Sequence, residues 1–394
     1  MSKLMKNGLL LCMVAAFVMC GTGNLFAGEV ASSNDKVSVS LYGQVNRAMS
    51  LVNDGDESYL NHVDNDVSST RFGFIVKAKG SDTLTAGANL EWEYQQNASN
   101  KVTQTGSAVS NGSLDKRKLD VYLDFASIGT FTFGHGSTAS DGTSEVDLSE
   151  TTVAGYALIS GWAESFQFFD KNANNLSGTT VGMVMSDLDG NSRLDRFRYD
   201  SPKFSGFQIS ASTFEVDTVD LSTTNTDRHD PGYDIVLRYS GKFGDAVKMA
   251  AAVAYSDYPS SDGANAADNQ VNGSLSVLFS GISLTVAGGQ KKLANVAATE
   301  SDSATFYYGK LGYMADFWSV GTTAFAIDYG KYDEFTRIKD DEASTYAIYV
   351  VQNLKNWGTE LYTGYRIYRL DDRPGTNADF DDIGAFFLGM RVKF

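Results

Sequence analysis

The last eleven residues of this 394-residue chain, GAFFLGMRVKF at 384–394, constrain its fold more than any other segment. One parity of the segment is entirely apolar: Phe386, Leu388, Met390, Val392 and Phe394. The other parity includes Arg391 and Lys393. A period of two residues predicts a β-strand with one apolar and one partly cationic face. We expect such a terminal strand to close a barrel, because closure leaves no strand edge exposed. An apolar face towards lipid and a polar face towards water are typical of a transmembrane barrel.

Residues 1–27 have the pattern of a cleaved export signal. Lys3 and Lys6 precede an apolar run, and small residues follow it. Cleavage is expected after Ala27, with Gly23 as the alternative. Both cysteines of the chain lie in this segment, so the exported protein would contain no disulfide and no cysteine-bound metal. We therefore expect a signal peptide at 1–27 and one barrel domain at 28–394, in the bacterial outer membrane.

The charge of the chain limits its partners. The formal net charge is −16, and it becomes −18 when the two lysines of the signal are removed. A nucleic-acid-binding protein needs a basic surface, so this function is excluded. No later segment has the 18 consecutive apolar residues of a membrane-spanning helix. An exported chain of this kind can cross a membrane only as a closed barrel, which makes membrane lipids a partner.

Alternating apolar and polar residues predict an all-β fold, a transmembrane antiparallel barrel of sixteen strands. Short turns and long polar loops alternate between these strands, as in bacterial barrels. Fourteen or eighteen strands remain as alternatives, and 179–188 is either an additional strand or the return limb of a loop. The predicted strands are 37–47, 70–78, 83–94, 114–125, 130–135, 193–200, 206–215, 232–240, 246–257, 269–279, 282–290, 303–314, 318–330, 344–353, 359–370 and 384–394.

Basic residues occupy the polar parity of many of these strands. In strand 359–370, for example, Leu361, Tyr365 and Ile367 alternate with a parity that carries Arg366. A charge on the lipid face costs about 2–4 kcal/mol for Arg or Lys at the bilayer centre, so the charged parity should face a wet interior. The predicted basic residues of the pore wall are Arg71, Lys118, Arg196, Arg198, Arg238, Arg366 and Arg391.

One connection, 136–192, is far longer than the others and combines acids with apolar residues. Long structureless loops in a compact domain are usually functional. The apolar side chains of this loop, among them Trp162, Phe166 and Phe168, need a place to be buried, and the inner wall of the barrel provides one. We expect the loop to fold into the lumen and to narrow it, with an external flap as the alternative. Its acids would then face the basic wall: Asp141, Glu145, Asp147 and Glu150.

The chain resembles the general porins of Gram-negative bacteria along its whole length after the signal. The motifs that carry the resemblance include SLYGQV at 40–45, TRFGF at 70–74, RFRYDSP at 196–202 and GMRVKF at 389–394. Each motif alone is weak, but their order together with the terminal Phe394 is specific. The resemblance implies a sixteen-stranded homotrimer, passive diffusion of small hydrophilic solutes, and a third external loop folded into each pore.

Several residue roles follow from this resemblance alone. Arg71, Arg196 and Arg198 resemble the inward basic residues of the porin wall. Asp141, Glu145 and Asp147 resemble the acids of its constriction loop. Phe394 resembles the terminal aromatic residue that the outer-membrane assembly machinery recognises. His135 stands where the family commonly has a basic wall residue. This departure, together with the acidic loops, indicates a preference for cations.

Four functions are compatible with this reading. A general diffusion channel that prefers cations is the first, and a substrate-selective channel with a binding site in the constriction is the second. A plugged barrel that acts as an adhesin or structural anchor is the third. An outer-membrane hydrolase is disfavoured, because no nucleophile elbow surrounds Ser137 beside His135. We therefore predict that the protein is not an enzyme.

The sequence suggests no cofactor. The segment 187–192 (DLDGNS) is similar to a calcium loop, but its glycine is fourth rather than sixth, so bound Ca²⁺ here or at the other acidic loops is a minor possibility. Aromatic residues near strand ends are expected to form interfacial girdles. These are Tyr59, Tyr258, Tyr329, Trp357 and Tyr368.

Overall fold

The computed structural model describes residues 29–31, 36–106, 112–218, 228–244, 246–257, 267–371 and 377–394. Almost all regular structure in these ranges is β-strand. The strands are β1 Glu29–Ala31, β2 Val37–Asn53, β3 Ser58–Asp64, β4 Arg71–Lys79, β5 Leu84–Tyr94, β6 Leu114–Phe125, β7 Gly129–Ser137, β8 Gln167–Asp170, β9 Asn175–Thr180, β10 Arg193–Asp200, β11 Phe207–Thr218, β12 Arg228–Phe243, β13 Val247–Asp257, β14 Ala267–Phe279, β15 Ile282–Leu293, β16 Ser303–Trp318, β17 Gly321–Asp333, β18 Glu342–Leu354, β19 Thr359–Leu370 and β20 Ile383–Lys393.

Sixteen of the described strands form one closed antiparallel barrel: β2, β4–β7 and β10–β20. Each pairs with its neighbour in the chain, and β2 pairs with β20 to close the circle, with Val45 opposite Val392. The predicted strand number is confirmed. Two further strands pair with β2 in antiparallel orientation: β1 with its beginning and β3 with its end, where β2 and β3 form a hairpin. This hairpin occupies much of 48–69, the stretch between the first two predicted strands.

All sixteen predicted segments contain a barrel strand, and the segment 318–330 is displaced as a whole by three residues. There β16 runs on to Trp318, and β17 begins only at Gly321. The alternation of apolar residues continues through 317–320, so periodicity alone does not reveal this turn. Gly321 has φ +145°, and a Cβ atom there would lie 2.3 Å from the carbonyl oxygen of Asn353. The turn is therefore placed by close backbone packing, which only glycine permits.

The apolar parity of the strands faces outward. On β6, for example, Leu119, Val121 and Leu123 are exposed, while Asp120 between them is buried. The same alternation is present on β12, where Ile235 and Leu237 flank an inward-facing residue. In a soluble protein such a surface would be an aggregation hazard, whereas in a bilayer it is the lipid-contacting band.

The long loop between β7 and β10 lies inside the barrel. Its hairpin of β8 and β9 forms a separate two-stranded sheet, which an isolated bridge between Asp170 and Phe380 links to the segment before β20. One helical turn, Val181–Val184, follows the hairpin. Residues 179–188 are thus part of the return limb and not an additional barrel strand. The main hydrophobic core lies between this loop and the inner wall, and it contains Trp162, Phe166 and Phe168. The interior of the barrel is therefore partly a packed core.

Two of the expected girdle residues belong to this interior. Tyr368 is fully buried and donates to the Ile159 carbonyl oxygen of the loop at 2.8 Å. Tyr59 packs edge-on against Phe166, with ring centroids 5.7 Å apart. Tyr329 is exposed on the outer face as expected, Trp357 is half-buried, and Tyr258 lies outside the described residues. No helix in the described parts of the chain is long and apolar enough to cross a membrane.

Candidate functional site

The outgoing limb of the loop is held against the wall by polar side chains of the barrel interior. Ser274 and Ser276 of β14 accept from the backbone N–H groups of Val146 and Leu148, at 3.0 Å each. Asp234 of β12 accepts from the N–H group of Ser140 at 2.9 Å. These residues share the inward parity of their strands, so the alternation that makes a barrel also provides a row of hydrogen-bonding groups for the loop.

A buried ion pair fixes the middle of the loop. Lys310 Nζ of β16 lies 2.6 Å from Asp147 Oδ2, and both side chains are at most 1% exposed. The same ammonium group donates to the Gly155 carbonyl oxygen at 2.7 Å. The structure thus does not place Asp147 in the pore, where it was predicted. Its carboxylate is instead paired with Lys310, which is not among the predicted wall cations.

A second buried ion pair supports the aromatic part of the loop. Arg366 Nη2 lies 2.7 Å from Asp328 Oδ2, and the Tyr349 hydroxyl donates to the same oxygen at 2.9 Å. The Arg366 guanidinium also lies over the Trp162 ring, 5.8 Å from its centroid. Arg366 was predicted as a pore-wall cation, but its charge is neutralised beneath the loop. Its role in the structure is to position the loop.

Trp162 is the largest buried side chain of the loop. Its ring stacks on Phe387 at 4.7 Å, and its indole N–H group donates to the Ala154 carbonyl oxygen at 2.8 Å. We expect Trp162→Ala to destabilise the seated loop by about 3–5 kcal/mol, because it leaves a large cavity and two partners without contacts. Protease resistance of the loop in the folded barrel would report this loss. A matched Trp318→Ala change, at the exposed end of β16, should leave that resistance unchanged. Equal resistance of the two variants would contradict the packing role.

The remaining lumen contains a cavity of about 650 Å³ between the loop and one side of the wall. Among the described residues, six carboxylates and four guanidinium groups line it. The acids Asp141, Glu145, Asp187 and Asp189 come from the loop, Asp66 from the segment after β3, and Glu93 from β5. The basic residues are Arg71, Arg117, Arg193 and Arg391. Loop acids therefore face wall arginines across a narrow polar space, an arrangement that produces a transverse electric field.

Three of the acids that line the cavity, Glu145, Asp189 and Asp66, have a raised pKa. Burial, followed by the nearby charges of Asp189 and Asp187, raises the pKa of Glu145 well above its usual value. Burial and the charge of Asp141 raise the pKa of Asp189 to about 6. Burial also raises the pKa of Asp66 to about 6. Because these values lie close to neutrality, the charge of the cavity depends on pH.

The wall arginines are oriented by neighbouring carboxylates. Arg117 lies 2.7 Å from Glu91 and 2.8 Å from Glu93 through its Nε and Nη1 atoms. Arg391 Nε lies 2.5 Å from Glu360 Oε2, and its Nη1 donates to the Ser68 hydroxyl at 2.6 Å. Arg71 lies farther from its acid, 4.0 Å from Glu91. The guanidinium groups therefore keep a fixed orientation at the edge of the cavity.

The other predicted wall cations do not line the cavity. Arg196 is buried, with Nη2 2.8 Å from Asp120 Oδ2. Arg198 pairs with Asp200 at 2.8 Å. Arg238 donates to the carbonyl oxygens of Ala139 and Asp141 at 2.8 and 2.9 Å. Together these three arginines hold the wall and the start of the loop in place. Their inward parity was predicted correctly, but their guanidinium groups bind carboxylates and backbone carbonyl oxygens.

Three more predicted residues lie away from the cavity. Lys118 Nζ approaches Glu91 at 3.9 Å from a partly exposed position. Glu150 is exposed at a turn of the loop, with φ +57°. His135 is opposite Leu119 and Asp195 in the sheet register, and it therefore shares the outward parity with Leu119. It is not among the residues that line the cavity.

Arg117 and Arg193 are the lining cations that sequence reasoning missed. Arg117 stands on the apolar parity of its strand, between Lys116 and Lys118. A register shift between Glu91 and Trp92 in the pairing of β5 with β6 turns it inward. Three consecutive cations in one predicted strand could have indicated this bulge, because regular alternation would place one of the three on the lipid face. Arg193 is the first residue of β10, and it shares the apolar parity of Phe197 and Tyr199, so alternation did not indicate it as a wall cation.

The barrel closure holds the C-terminal residue in a defined place. Phe394 and Gly43 exchange two backbone hydrogen bonds, of 2.9 and 3.0 Å. A Cβ atom at Gly43 would lie 2.5 Å from the Phe394 ring, so glycine makes room for the aromatic side chain. The ring is partly exposed. Within the described residues, no three His, Cys, Asp or Glu side chains converge in a manner suited to a metal ion.

The comparisons with known proteins agree with this architecture. A family model described as Gram-negative porin matches residues 13–373. The chain belongs to the Gram-negative porin family. No curated protein sequence is significantly similar to it.

Solved porin structures share its fold. An anion-selective porin from Comamonas acidovorans is 17% identical, with a TM-score of 0.60 over 91% of this chain and 100% of that one. The Salmonella typhi OmpF structure, a complex with daunomycin, is 14% identical, with a TM-score of 0.56 over 93% and 100%. The outer-membrane channel DcaP of Acinetobacter baumannii is also 14% identical, with a TM-score of 0.56 over 94% and 100%. At these identities the similarity establishes the barrel fold and leaves the selectivity of this porin open.

Proposed function

We propose that this porin is an outer-membrane diffusion channel for ions and small hydrophilic solutes, with a preference for cations. The observation that carries the proposal is the cavity in which loop acids face wall arginines. When all groups are ionised, the six lining carboxylates exceed the four guanidinium groups by two charges. Cations are then attracted into the narrowest polar part of the lumen, and anions are repelled.

The same charges suit small polar solutes. A transverse field aligns polar solutes and their hydration water. An apolar solute would displace water from the charged groups of the cavity without replacing its hydrogen bonds. The export signal at 1–27, the terminal Phe394 as assembly signal, and a homotrimer belong to this proposal. The trimer is supported by family membership and by the trimer form of OmpT from Vibrio cholerae, a structural neighbour with a TM-score of 0.54.

The test is the reversal potential of the refolded protein in a planar bilayer under a KCl gradient. Stepwise conductance with a cation-favouring potential is the expected result. An anion-favouring potential near neutral pH would mean that the arginines dominate. Complete absence of conductance from folded protein would favour a plugged barrel, since the packed loop already fills part of the interior.

Cation preference should fall as the pH is lowered. Asp66 and Asp189 have pKa values of about 6, and that of Glu145 is well above its usual value. These acids are charged above their raised pKa values and become neutral as the pH falls through them, while the arginines stay charged. When the pH is lowered from mildly alkaline to mildly acidic, the reversal potential should therefore shift towards the value of an anion-selective channel. Asp189→Asn should reduce this shift, and Glu150→Gln, at an exposed position, should leave it unchanged. A potential independent of pH would contradict the assignment.

A further inference from the structure

The connections at the external end of the barrel are strongly acidic. In bacterial barrels the long connections between strands are external and the short turns are periplasmic. Apart from the constriction loop, the described parts of the long connections contain thirteen acidic and only three basic residues. These parts are 54–57, 65–70, 95–106, 112–113, 294–302, 334–341, 371 and 377–382. A cation that approaches from outside therefore meets a negative potential before it reaches the constriction.

The periplasmic end carries lysines that point towards the lumen. Lys242 of β12 and Lys248 of β13 lie directly opposite each other, next to the short turn that joins the two strands. Both are exposed, and they share the inward parity of Asp234 and Ala252 on these strands. Like charges in a directly opposed pair destabilise a sheet. The pair therefore contributes nothing to the stability of the wall, and its effect is a positive potential at this mouth of the lumen.

Two further lysines enlarge this basic surface. Lys203 is exposed on the neighbouring turn, which is bonded to β12 through the N–H group of Ser240 and the carbonyl oxygen of Gly206 at 2.9 Å. Lys77 of β4 is exposed and shares the inward parity of Arg71, which lines the cavity. We call Lys77, Lys203, Lys242 and Lys248 the periplasmic lysines.

The charge of the periplasmic lysines is largely uncompensated. Within the described ranges of the chain, none of the four forms an ion pair, in contrast to three other lysines of this end. Those pairs are Lys79 with Asp82, Lys355 with Asp316 and Lys393 with Glu360. Asp124, which accepts from the Thr130 hydroxyl at 2.9 Å, offsets one of the four charges. The two mouths of the lumen thus have opposite signs.

We propose that this axial asymmetry makes the porin a current rectifier, which conducts better when its external side is positive than when it is negative. The proposal rests on the proposed channel function and adds a direction to it. With the external side positive, cations enter through the acidic mouth and anions through the basic mouth, so each mouth attracts the ions that enter it. With the opposite polarity each mouth repels the entering ions, and the lumen is depleted of carriers.

The effect should depend on the salt concentration. The screening length is about 10 Å at 0.1 M salt and about 3 Å at 1 M. In water, a unit charge about 10 Å from an ion changes the local concentration of that ion about twofold. The charges of each mouth therefore act across the lumen at the lower concentration and only near the wall at the higher one. We expect a current ratio of about two or more between the polarities at about 0.1 M KCl, and a ratio close to one at about 1 M.

The experiment is a current–voltage curve of single channels in symmetric KCl, with the refolded protein that lacks the export signal. Both cysteines of the chain lie in that signal, so Asn356→Cys, at an exposed residue of a short turn, introduces a unique thiol. A thiol-reactive polymer too large for the lumen alters the current only from the chamber that faces the short turns. This reaction, carried out after each recording, gives the orientation of the channel.

Two triple variants test the periplasmic lysines. Lys203→Gln, Lys242→Gln and Lys248→Gln should bring the current ratio at the lower salt concentration close to one. The matched control, Lys203→Arg, Lys242→Arg and Lys248→Arg, keeps the charges and should keep the ratio. All three positions are exposed at turns or strand ends, so the barrel should fold in both variants.

The outcomes separate this proposal from the proposed function. Equal currents at both polarities, a larger current with the external side negative, or undiminished rectification in the glutamine variant would overturn the rectifier and leave the channel intact. Rectification together with an anion-favouring reversal potential would support the rectifier and overturn the cation preference. Folded protein that does not conduct would overturn the proposed function and the rectifier with it.

Discussion

Replacing Lys310 with methionine should release the constriction loop from the wall. The change leaves Asp147 buried without a counter-charge, and breaking a buried ion pair in this way costs about 3–5 kcal/mol. The Gly155 carbonyl oxygen loses its donor at the same time. Because the barrel strands pair independently of the loop, we expect the barrel to persist while the loop leaves its seat. Single-channel conductance should increase and become noisier, since the lumen of a sixteen-stranded barrel is wide without a loop.

A double variant separates the loss of the pair from the loss of packing. In Lys310→Met with Asp147→Leu no unpaired charge remains, and apolar replacement of a buried pair is often neutral or stabilising. Conductance close to wild type is therefore expected for the double variant. Lys355→Met removes a partly exposed ion pair with Asp316 on a short turn and should have no effect. Wild-type conductance in the single variant would show that other contacts suffice to hold the loop.

The second large effect expected is a reversal of ion selectivity. The triple variant Asp141→Asn, Glu145→Gln and Asp189→Asn removes three lining acids and changes the formal charge of the lining from −2 to +1. A unit charge about 4 Å from a passing ion contributes about 1 kcal/mol even at the dielectric constant of water. Three such changes should alter the cation-to-anion permeability ratio by more than about tenfold. The reversal potential under a KCl gradient should change sign.

The matched control uses acids that lie away from the cavity. The pair Glu150→Gln and Asp316→Asn removes two acids, one at an exposed turn of the loop and one near the exposed end of β16. Its reversal potential should equal that of the wild type. A triple variant that keeps its cation preference would show that Asp66, Asp187 and Glu93 dominate the field. Asp147 is left intact in these variants, because its neutralisation would unseat the loop and confound the measurement.

Strand alternation determined the architecture of this protein. A period of two residues, repeated from 37 to 394, specifies which side of each strand faces lipid, because a charge on the wrong side is too costly in a bilayer. The number of strands and the inward direction of Arg71, Arg366 and Arg391 follow from this rule alone. The apolar residues of the long loop, including Trp162 and Phe166, likewise predicted its burial inside the barrel, since a solvated loop would not retain them.

Only the tertiary structure decided which charges face the pore. Inward parity is shared by Arg366, which is neutralised beneath the loop, and Arg71, which lines the cavity. The sequence contains no signal that separates them, because the difference depends on where a loop of more than fifty residues crosses the wall. Asp147 was displaced from the pore by Lys310, a residue 163 positions away. Arg117 was brought into it by a bulge. A local sequence pattern determines the direction of a side chain. Its partner depends on which distant segments of the chain pack together, and the local pattern does not specify that.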